Sequence, residues 1–531
     1  MSEARKTGRE YPDPVPEGSE VLVDIEKRAL LKADPSERQE TYRFAHARSK
    51  LLFFLLKEGP GLTWRKVKAS WLQRGIAAKR AVVFIIGETG GRSVAAVGPM
   101  DLPDAHLAAV HRDHVAPLPQ GRDADWGLNA LLDHLEANPK ILQDLYHYSP
   151  FSGLGPAVNL ERVFADAEKR PSDTGQKPAK FSTPTVPAAR TDAQAVSGRS
   201  GPGLFLVGAG SYTYSYVIPF LSGLRRDTVI DLNPLLAARM RDRFGFEHAD
   251  TSCGRAFERL REAEDPVVVI ATYHSTHVDV AEAALEANPK ARIFMEKPPV
   301  TSLSQLERLL GMRKHGAFIE IGYNRRHTRF IRQAKKAIEA RQGPLTMTCI
   351  VREKNLPLTH WYYWPTQGTR VAGNLSHWID LGVLFIREEP LEMNLMSSSA
   401  RFPADEAVVS VNFKGGSQLN LVATDRGNPL RGVQEYIEIR RDETTVGIDD
   451  FLRLTVQSGG RRRQSRSFLR DKGHKAMYID FLEKCQKGGT PSYPDGDLEI
   501  SSIMYLEMAE ALMRGEKTRD CRAVKDLGPK N

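Results

Sequence analysis

An α/β protein is what this sequence predicts: a doubly wound parallel-sheet domain followed by an α+β domain with a mostly antiparallel sheet. Three observations carry the first part. From residue 203 to about 300, strand-like apolar runs alternate with helix-like segments, the pattern of a parallel sheet with crossover helices. The run GLFLVGAG (203–210) passes straight into a glycine turn. The run ARIFM (291–295) stops at Glu296 and Lys297, and Pro298 and Pro299 then forbid both ladder pairing and an immediate helix. An ammonium group is thereby set at the carboxyl end of a buried strand, where open α/β sheets hold their ligands.

The elements follow in order. TVIDL (228–232) is the second strand, with a helix after it to about Arg243. PVVVIAT (266–272) is a mostly β-branched run, as in a strand buried on both faces. A helix fits Thr276 to Leu285, and ARIFM is the next strand. From about Thr346 the helices drop out. VVSVNF, LNLVAT and EYIEIRR are successive strands, which predicts antiparallel pairing, and helical stretches near 474–488 and 497–514 close the pattern.

At 531 residues the chain exceeds one ordinary domain. Residues 161–200 are rich in Pro, Ser, Thr and Gly and read as a flexible linker. The expected division is therefore an accessory domain over 1–160, the linker, a parallel-sheet domain over 201–323 and the second domain over 324–520. A composition of 41% hydrophobic and 27% charged residues is that of a globular protein. No stretch approaches the ~20 apolar residues of a membrane span, and MSEARKTGRE lacks the apolar core of a signal peptide. Cys253, Cys349, Cys485 and Cys521 are scattered, which favours a reducing cytoplasm over a disulfide framework. The net charge of +9 is spread along the chain. Only Arg461 to Arg463 cluster, without interleaved aromatics, so the charge reads as solubility and attraction to anionic substrates, with no nucleic acid and no membrane as partners.

Four motifs carry chemistry. Gly208 and Gly210 permit a tight turn and close approach of a pyrophosphate, with Ser211 and Tyr212 following, although Thr213 departs from the third glycine of the strict fingerprint. Asp231, about twenty residues on, ends the second strand where an acid hydrogen-bonds the adenosine ribose, so NAD is the expected cofactor. Arg225 and Arg226, read as solvated residues before that strand, leave NADP open. The segment Thr272 to His277 puts polar groups at the edge of the PVVVIAT strand; His277 is either a cofactor contact or a packing residue at a helix start. In Gly373 to Leu381, His377 and Asp380 are three apart and share a helical face. His377 could take a hydroxyl proton while Lys297 holds the same oxygen; the alternative is a buried histidine tied to Asp380.

Taken in order, the glycine turn, Asp231, the His277 loop, Glu296-Lys297-Pro298, GYNRR (322–326) and the HWID segment resemble the Gfo/Idh/MocA oxidoreductases. The resemblance spans about Gly203 to Arg514. It implies a Rossmann domain and an antiparallel α/β domain, acting with NAD(P) on sugars, cyclitols or nucleotide-linked sugars, and assembled as a homo-oligomer. Lys297 and His377 match the catalytic lysine and histidine. Gly208, Gly210, Ser211, Tyr212, Asp231, Thr272, His277, Glu296 and Lys297 are then expected at the cofactor, and Tyr323, Asn324, Arg325, Asn374 and Asp380 at the substrate. One departure stands out: the family's Asp four residues before the histidine is Gly373 here. That keeps a second reading in play, an NAD-binding scaffold or regulator without turnover. The tail 449–476 and the stretch 91–119 resemble a subgroup carrying a piece of a medium-chain alcohol dehydrogenase. His111 and His114 have metal-like spacing, but the block has no cysteine, so no metal is expected.

Overall fold

A computed structural model describes residues 20–32, 47–72, 81–90, 92–100, 107–138, 159–169, 201–354, 356, 360–364, 366–399, 402–426 and 432–521. Three sheets organise them.

The first sheet is antiparallel, in the order Leu107–His111, Glu20–Lys32, Ala81–Thr89, Arg92–Met100, Val115–Pro117. Phe84, Ile86, Ala95 and Val97 alternate onto one face, where they meet Leu131 of helix Ala124–Ala137 and Val163 and Phe164 of helix Leu160–Glu168. That second helix corrects the expected linker, which was to begin at 161. Asn159 caps it by accepting from Arg162 N at 2.9 Å, and Leu160, Val163 and Phe164 give it a buried stripe. The rest of the expected linker, from 170 to 200, lies outside the described residues.

The second sheet is wholly parallel, in the order Ile319–Gly322, Arg292–Glu296, Val267–Ile270, Gly203–Val207, Arg225–Ile230, His248–Asp250. This is the doubly wound order of dinucleotide-binding folds, and its direction reverses between Gly203–Val207 and Val267–Ile270. All residues of those two strands are buried, which is why they read as continuous apolar runs. Phe205, Val207, Val268 and Ile270 face helices Cys253–Glu262 and His277–Ala287. On the other face, Leu204, Leu206, Val269 and Phe294 pack against Met477, Tyr478 and Phe481 of helix His474–Lys487, with Ala69 of helix Ala47–Leu72 in the same cluster. Burying three such side chains contributes about 1.5–3 kcal/mol each. One face of this sheet is thus completed from the far end of the chain.

The helix expected after the glycine turn is irregular. Thr213–Val217 form a π-helical turn and Ile218–Phe220 a 3-10 turn. Pro219 has no N–H to give and its ring crowds the carbonyl of Ser215, so a regular α-helix cannot run through it.

The third sheet has nine strands, in the order Arg461–Arg466, Arg453–Ser458, Thr444–Asp449, Gln434–Arg441, Leu345–Arg352, Gln418–Thr424, Ala407–Phe413, Pro390–Ser397, Thr518–Asp520. Its pairs are antiparallel except Leu345–Arg352 beside Gln418–Thr424. Burial alternates along the strands, with the inner residues against helices Ser376–Ile386 and Asp495–Arg514. Every residue of Ser376–Ile386 is buried.

Candidate active site

The glycine turn sits at the switch point. Gly208 has φ +101°, and a Cβ there would lie 2.2 Å from the carbonyl oxygen of Ala271, so only glycine lets the neighbouring strand end pass so close. At Gly210, by contrast, no heavy atom among the described residues lies within 4 Å of where a Cβ would stand. Open room above that backbone, beside exposed Ser211, suits a pyrophosphate. Asp231 closes the turn: its carboxylate accepts from Ala209 N at 2.7 Å and from Asn233 N at 2.9 Å. The acid is therefore fixed just past the carboxyl end of strand Arg225–Ile230. Arg225 and Arg226 are at the opposite end of the same strand, and they are not the free cations expected. Arg225 pairs with Asp227 at 2.7 Å and Glu247 at 2.8 Å, while Arg226 is buried and reaches Ile218 O at 3.4 Å. Five residues of strand, about 16 Å, separate Arg226 from Asp231. The cofactor residues present fit NAD.

Three residues expected at the cofactor are hydrogen-bonded within the protein. His277 is buried, with Nδ1 2.9 Å from Pro298 O and Nε2 3.3 Å from Thr272 O. Burial holds its pKa at about 4, so the ring is neutral and its single N–H can serve only one of these carbonyls, Pro298 O being the nearer. Tyr212 and Tyr478 both donate their hydroxyls to Glu296 Oε1, at 2.9 and 2.5 Å, and Lys297 N donates to Oε2 at 3.3 Å. The carboxylate of Glu296 and the hydroxyl of Tyr212 are thus spent on orienting the turn that carries Lys297. Burial raises the pKa of Glu296, against those hydrogen bonds. Thr272 stays at the strand edge, its hydroxyl 2.8 Å from that of Thr276.

Lys297 reaches across to the second domain and donates from Nζ to Gly373 O at 2.7 Å. Burial lowers its pKa to about 8, with nearby Glu296 and Glu353 opposing that shift. The missing acid at 373 has a steric explanation. A Cβ on Gly373 would stand 2.9 Å from two ring carbons of Tyr362 and 3.0 Å from Cε1 of His274. Tyr362 also donates to Gly373 O, at 3.3 Å. The space an aspartate would take is filled.

His377 lies in the first turn of the buried helix Ser376–Ile386. Its Nδ1 is buried without a hydrogen-bond partner among the described residues. Burial first, then the charges of Arg325 and Lys297, drive its pKa well below the usual histidine range, so the ring is neutral. Asp380 is not its partner. That carboxylate is fully buried, takes Arg326 Nε on both oxygens at 2.9 Å and accepts from Tyr493 at 2.5 Å, so it holds the fold and not the substrate. Asn374 is likewise occupied, its Nδ2 on Glu353 at 2.5 and 2.6 Å. Tyr323 packs its ring between Tyr493 and His377.

Asn324, Arg325 and His377 do converge, on a cavity of about 260 Å³. Asn324 Nδ2 is anchored on Lys472 O at 2.6 Å. Arg325 forks onto Glu435 at 2.7 and 3.0 Å and lies 4.6 Å over the Trp378 ring. Glu435 also receives Trp378 Nε1 at 2.8 Å and Lys472 Nζ at 2.7 Å. Tyr216, Lys472 and His474 complete that side. Glu353, Tyr362 and His274 are functional neighbours that sequence reasoning missed. Glu353 carried a signal as a charged residue just past the end of strand Leu345–Arg352, and His274 lay in the polar segment Thr272 to His277.

Against known proteins, residues 204–323 match the Gfo/Idh/MocA model, described as an oxidoreductase family with an NAD-binding Rossmann fold. The parallel-sheet domain is thus similar to the NAD-binding Rossmann domains of that family. NAD is the cofactor such a domain binds, in agreement with Asp231. A curated relative, the uncharacterized oxidoreductase YrbE of Bacillus subtilis (strain 168), is 23% identical over 208 residues, 37% of this chain. The match spans 59% of that relative's length. Among solved structures, an oxidoreductase from Agrobacterium radiobacter in complex with NAD+, L-tartaric acid and magnesium is similar at 16% identity and TM-score 0.52, covering 61% of this chain and 100% of its own. The aldose-aldose oxidoreductase from Caulobacter crescentus, complexed with glycerol, is similar at 18% identity and TM-score 0.51, covering 60% and 100%. Those likenesses are of fold. Among the described residues no group of three or more His, Cys, Asp or Glu could hold a metal, and no helix is long and apolar enough to cross a membrane.

Proposed function

We propose that the protein is an NAD-linked oxidoreductase that moves a hydride between nicotinamide and a secondary alcohol or ketone of a sugar, cyclitol or nucleotide sugar. The observation that carries this reading is the pairing of Lys297, an ammonium poised at about pH 8 and anchored on Gly373 O, with neutral His377, whose Nδ1 has no partner among the described residues. In the oxidation direction Lys297 holds the substrate oxygen as negative charge develops, and His377 takes the hydroxyl proton on Nδ1. NAD, when bound, receives the hydride. In reduction the same groups return the proton. Glu296, braced by two tyrosines, keeps Lys297 aimed, and Asn324 and Arg325 shape the substrate side.

Cys349, Cys485 and Cys521, buried as thiols, support a reducing cytoplasm as the compartment. A homo-oligomer would pair the outer face of the nine-stranded sheet, where Ile350, Val408 and Tyr436 are exposed. One observation favours a second reading, an NAD-binding scaffold: the acid position before His377 is a glycine whose side-chain space is occupied.

The test is to purify the protein, identify any retained cofactor, and screen free and nucleotide-linked sugars by nicotinamide absorbance. Turnover that disappears in Lys297→Met supports the oxidoreductase. NAD binding with no turnover across the panel supports the scaffold.

A further inference from the structure

We propose that Arg325 and Lys472 form a carboxylate subsite in the substrate cavity, so that the substrate is a monosaccharide acid, a small polyhydroxy compound bearing one carboxylate. This rests on the oxidoreductase reading and narrows its substrate.

The local sequence brings Lys472 there. In Asp471-Lys472-Gly473-His474 the chain turns into helix His474–Lys487 through Gly473, at φ 91°. A Cβ on Gly473 would stand 2.1 Å from Asn324 O, so only glycine lets this turn close on the GYNRR segment. Asn324 Nδ2 donates to Lys472 O at 2.6 Å, and Asp471 accepts from Gly473 N at 2.8 Å. The turn is thus clamped, and Lys472 and His474 line the same cavity as Asn324, Arg325 and His377.

The charged groups that line this cavity, taken with the groups they bond directly, fall into two sets. The first is closed. Glu58 pairs with Lys66 and Arg470, and Arg470 also takes Asp450 at 3.2 Å, so two cations meet two carboxylates. Arg325 and Lys472 form the second set, and it is not closed. Glu435 is the one carboxylate bonded to them among the described residues, 2.7 Å from each, and it is buried. Glu353, another carboxylate that feels Arg325, pairs with Arg370 at 3.3 Å. Two cations therefore share one negative charge out of water. Each also keeps a donor. Arg325 commits Nε and Nη2 to Glu435, and its Nη1 has no partner among the described residues. Lys472 commits two of its three N–H groups, to Glu435 and to Val433 O at 2.9 Å.

A desolvated excess cation is stabilised by an anion hydrogen-bonded to it. One excess charge and two open donors match the charge and the two oxygens of a carboxylate. His377 and His474 are held neutral by burial, so they offer hydrogen bonds to hydroxyls and add no charge. At about 260 Å³ the cavity is at the lower edge of ligand sites (~300–1,000 Å³) and suits a single sugar without a nucleotide.

The experiment is calorimetric titration of the full chain, saturated with NADH, using D-glucuronate and D-gluconate against D-glucose, myo-inositol and D-glucose 6-phosphate. It is run at pH 7, where Lys472 is charged although burial lowers its pKa to about 8. The sugar acids should bind the native protein at least about tenfold more tightly than the neutral compounds, and no more weakly than the phosphate. Lys472→Met should bring acids and neutral compounds within about threefold of each other while NADH affinity stays within about twofold. Its melting temperature should stay close to native, because Arg325 and Glu435 are left paired one to one. Equal native binding of acids and neutral sugars, tighter binding of the phosphate, or an acid preference that survives in Lys472→Met overturns the proposal. So does a Lys472→Met protein that no longer folds, since Lys472 would then be a structural tie for Glu435. Acid-selective binding that depends on Lys472 without hydride transfer leaves this site standing and removes the oxidoreductase reading. Turnover of neutral sugars alone does the reverse.

Discussion

Lys297 of the Rossmann domain donates its ammonium hydrogen bond to the backbone carbonyl of Gly373, 76 positions later, at 2.7 Å. The contact joins the cofactor domain to the turn that launches the His377 helix. It asks nothing of the side chain at 373, which is how a glycine can stand where related enzymes are expected to carry an acid.

Removing that ammonium should separate chemistry from binding. Lys297→Met keeps much of the stem, so melting temperature and NAD affinity should change little. Turnover should fall by about 10²–10⁴-fold. Because burial holds the Lys297 pKa at about 8, native activity should decline as pH rises through 8 and the ammonium is lost. A pH–rate profile on the best sugar substrate checks both points; a flat profile between pH 7 and 9 would refute the assignment.

The filled space beside Gly373 predicts a steric cost. Gly373→Ala pushes a methyl against Tyr362 and should destabilise the protein by about 1–3 kcal/mol. In a Tyr362→Leu background, which shortens the obstructing side chain, the same substitution should cost less than about 1 kcal/mol. Calorimetric unfolding of the four proteins measures the coupling directly.

Asp231→Ser should change cofactor choice. It removes the charge that repels a 2′-phosphate and weakens the ties to Ala209 N and Asn233 N. Affinity for NAD should drop and the NADP-to-NAD affinity ratio should rise about tenfold or more. Fluorescence titration with both nucleotides reads this, and unchanged affinities would take Asp231 away from the ribose.

Glu435 should dominate part of the acid-unfolding curve. It is fully buried; burial alone would raise its pKa, but Arg325 and Lys472 outweigh that and hold it at about 2, below the ordinary 4.5. Since the folded-state pKa is depressed, the stabilisation is complete above pH 4.5 and is lost as pH falls toward 2. The shift corresponds to about 3 kcal/mol. Glu435→Gln should remove this pH dependence, and it strands two buried cations at a cost of about 3–5 kcal/mol. Urea unfolding of both proteins between pH 2.5 and 6 is the check.

What could be read from the sequence depended on distance along the chain. Strands such as Val267–Ile270 are buried on both faces, so burial writes itself as an unbroken apolar run. The glycine turn and Lys297 are local events at strand ends, and prolines or glycines mark them. Partnerships between distant residues leave no such trace. Spacing placed His377 and Asp380 on one helical face, yet Asp380 found Arg326 and Tyr493 instead, because a shared face does not select a partner. The partners of His277 and Glu296 were hidden for the same reason: the carbonyls and tyrosines that meet them come from elsewhere. Tyr362 and His274 could not be foreseen beside Gly373, since only the folded domains bring them there. The short helix Leu160–Glu168 was hidden by the polar, proline-rich composition that follows it.

The sheet face sealed by helix His474–Lys487 has a consequence for synthesis on the ribosome. When Gly322, the last residue of the parallel sheet, has emerged, Leu204, Leu206, Val269 and Phe294 still lack the part of their cover that Met477, Tyr478 and Phe481 supply. Arg292, whose guanidinium donates to the carbonyls of Lys484 and Cys485, also waits for acceptors 192 and 193 residues ahead. The covering helix is finished about 165 residues after Gly322. At ~5–20 residues per second that delay is roughly 10–30 s. Throughout it the nascent chain presents a sticky, half-built surface, so holdase chaperones should engage this protein while it is being translated, and a premature stop before residue 474 should yield aggregate in place of a usable nucleotide-binding fragment.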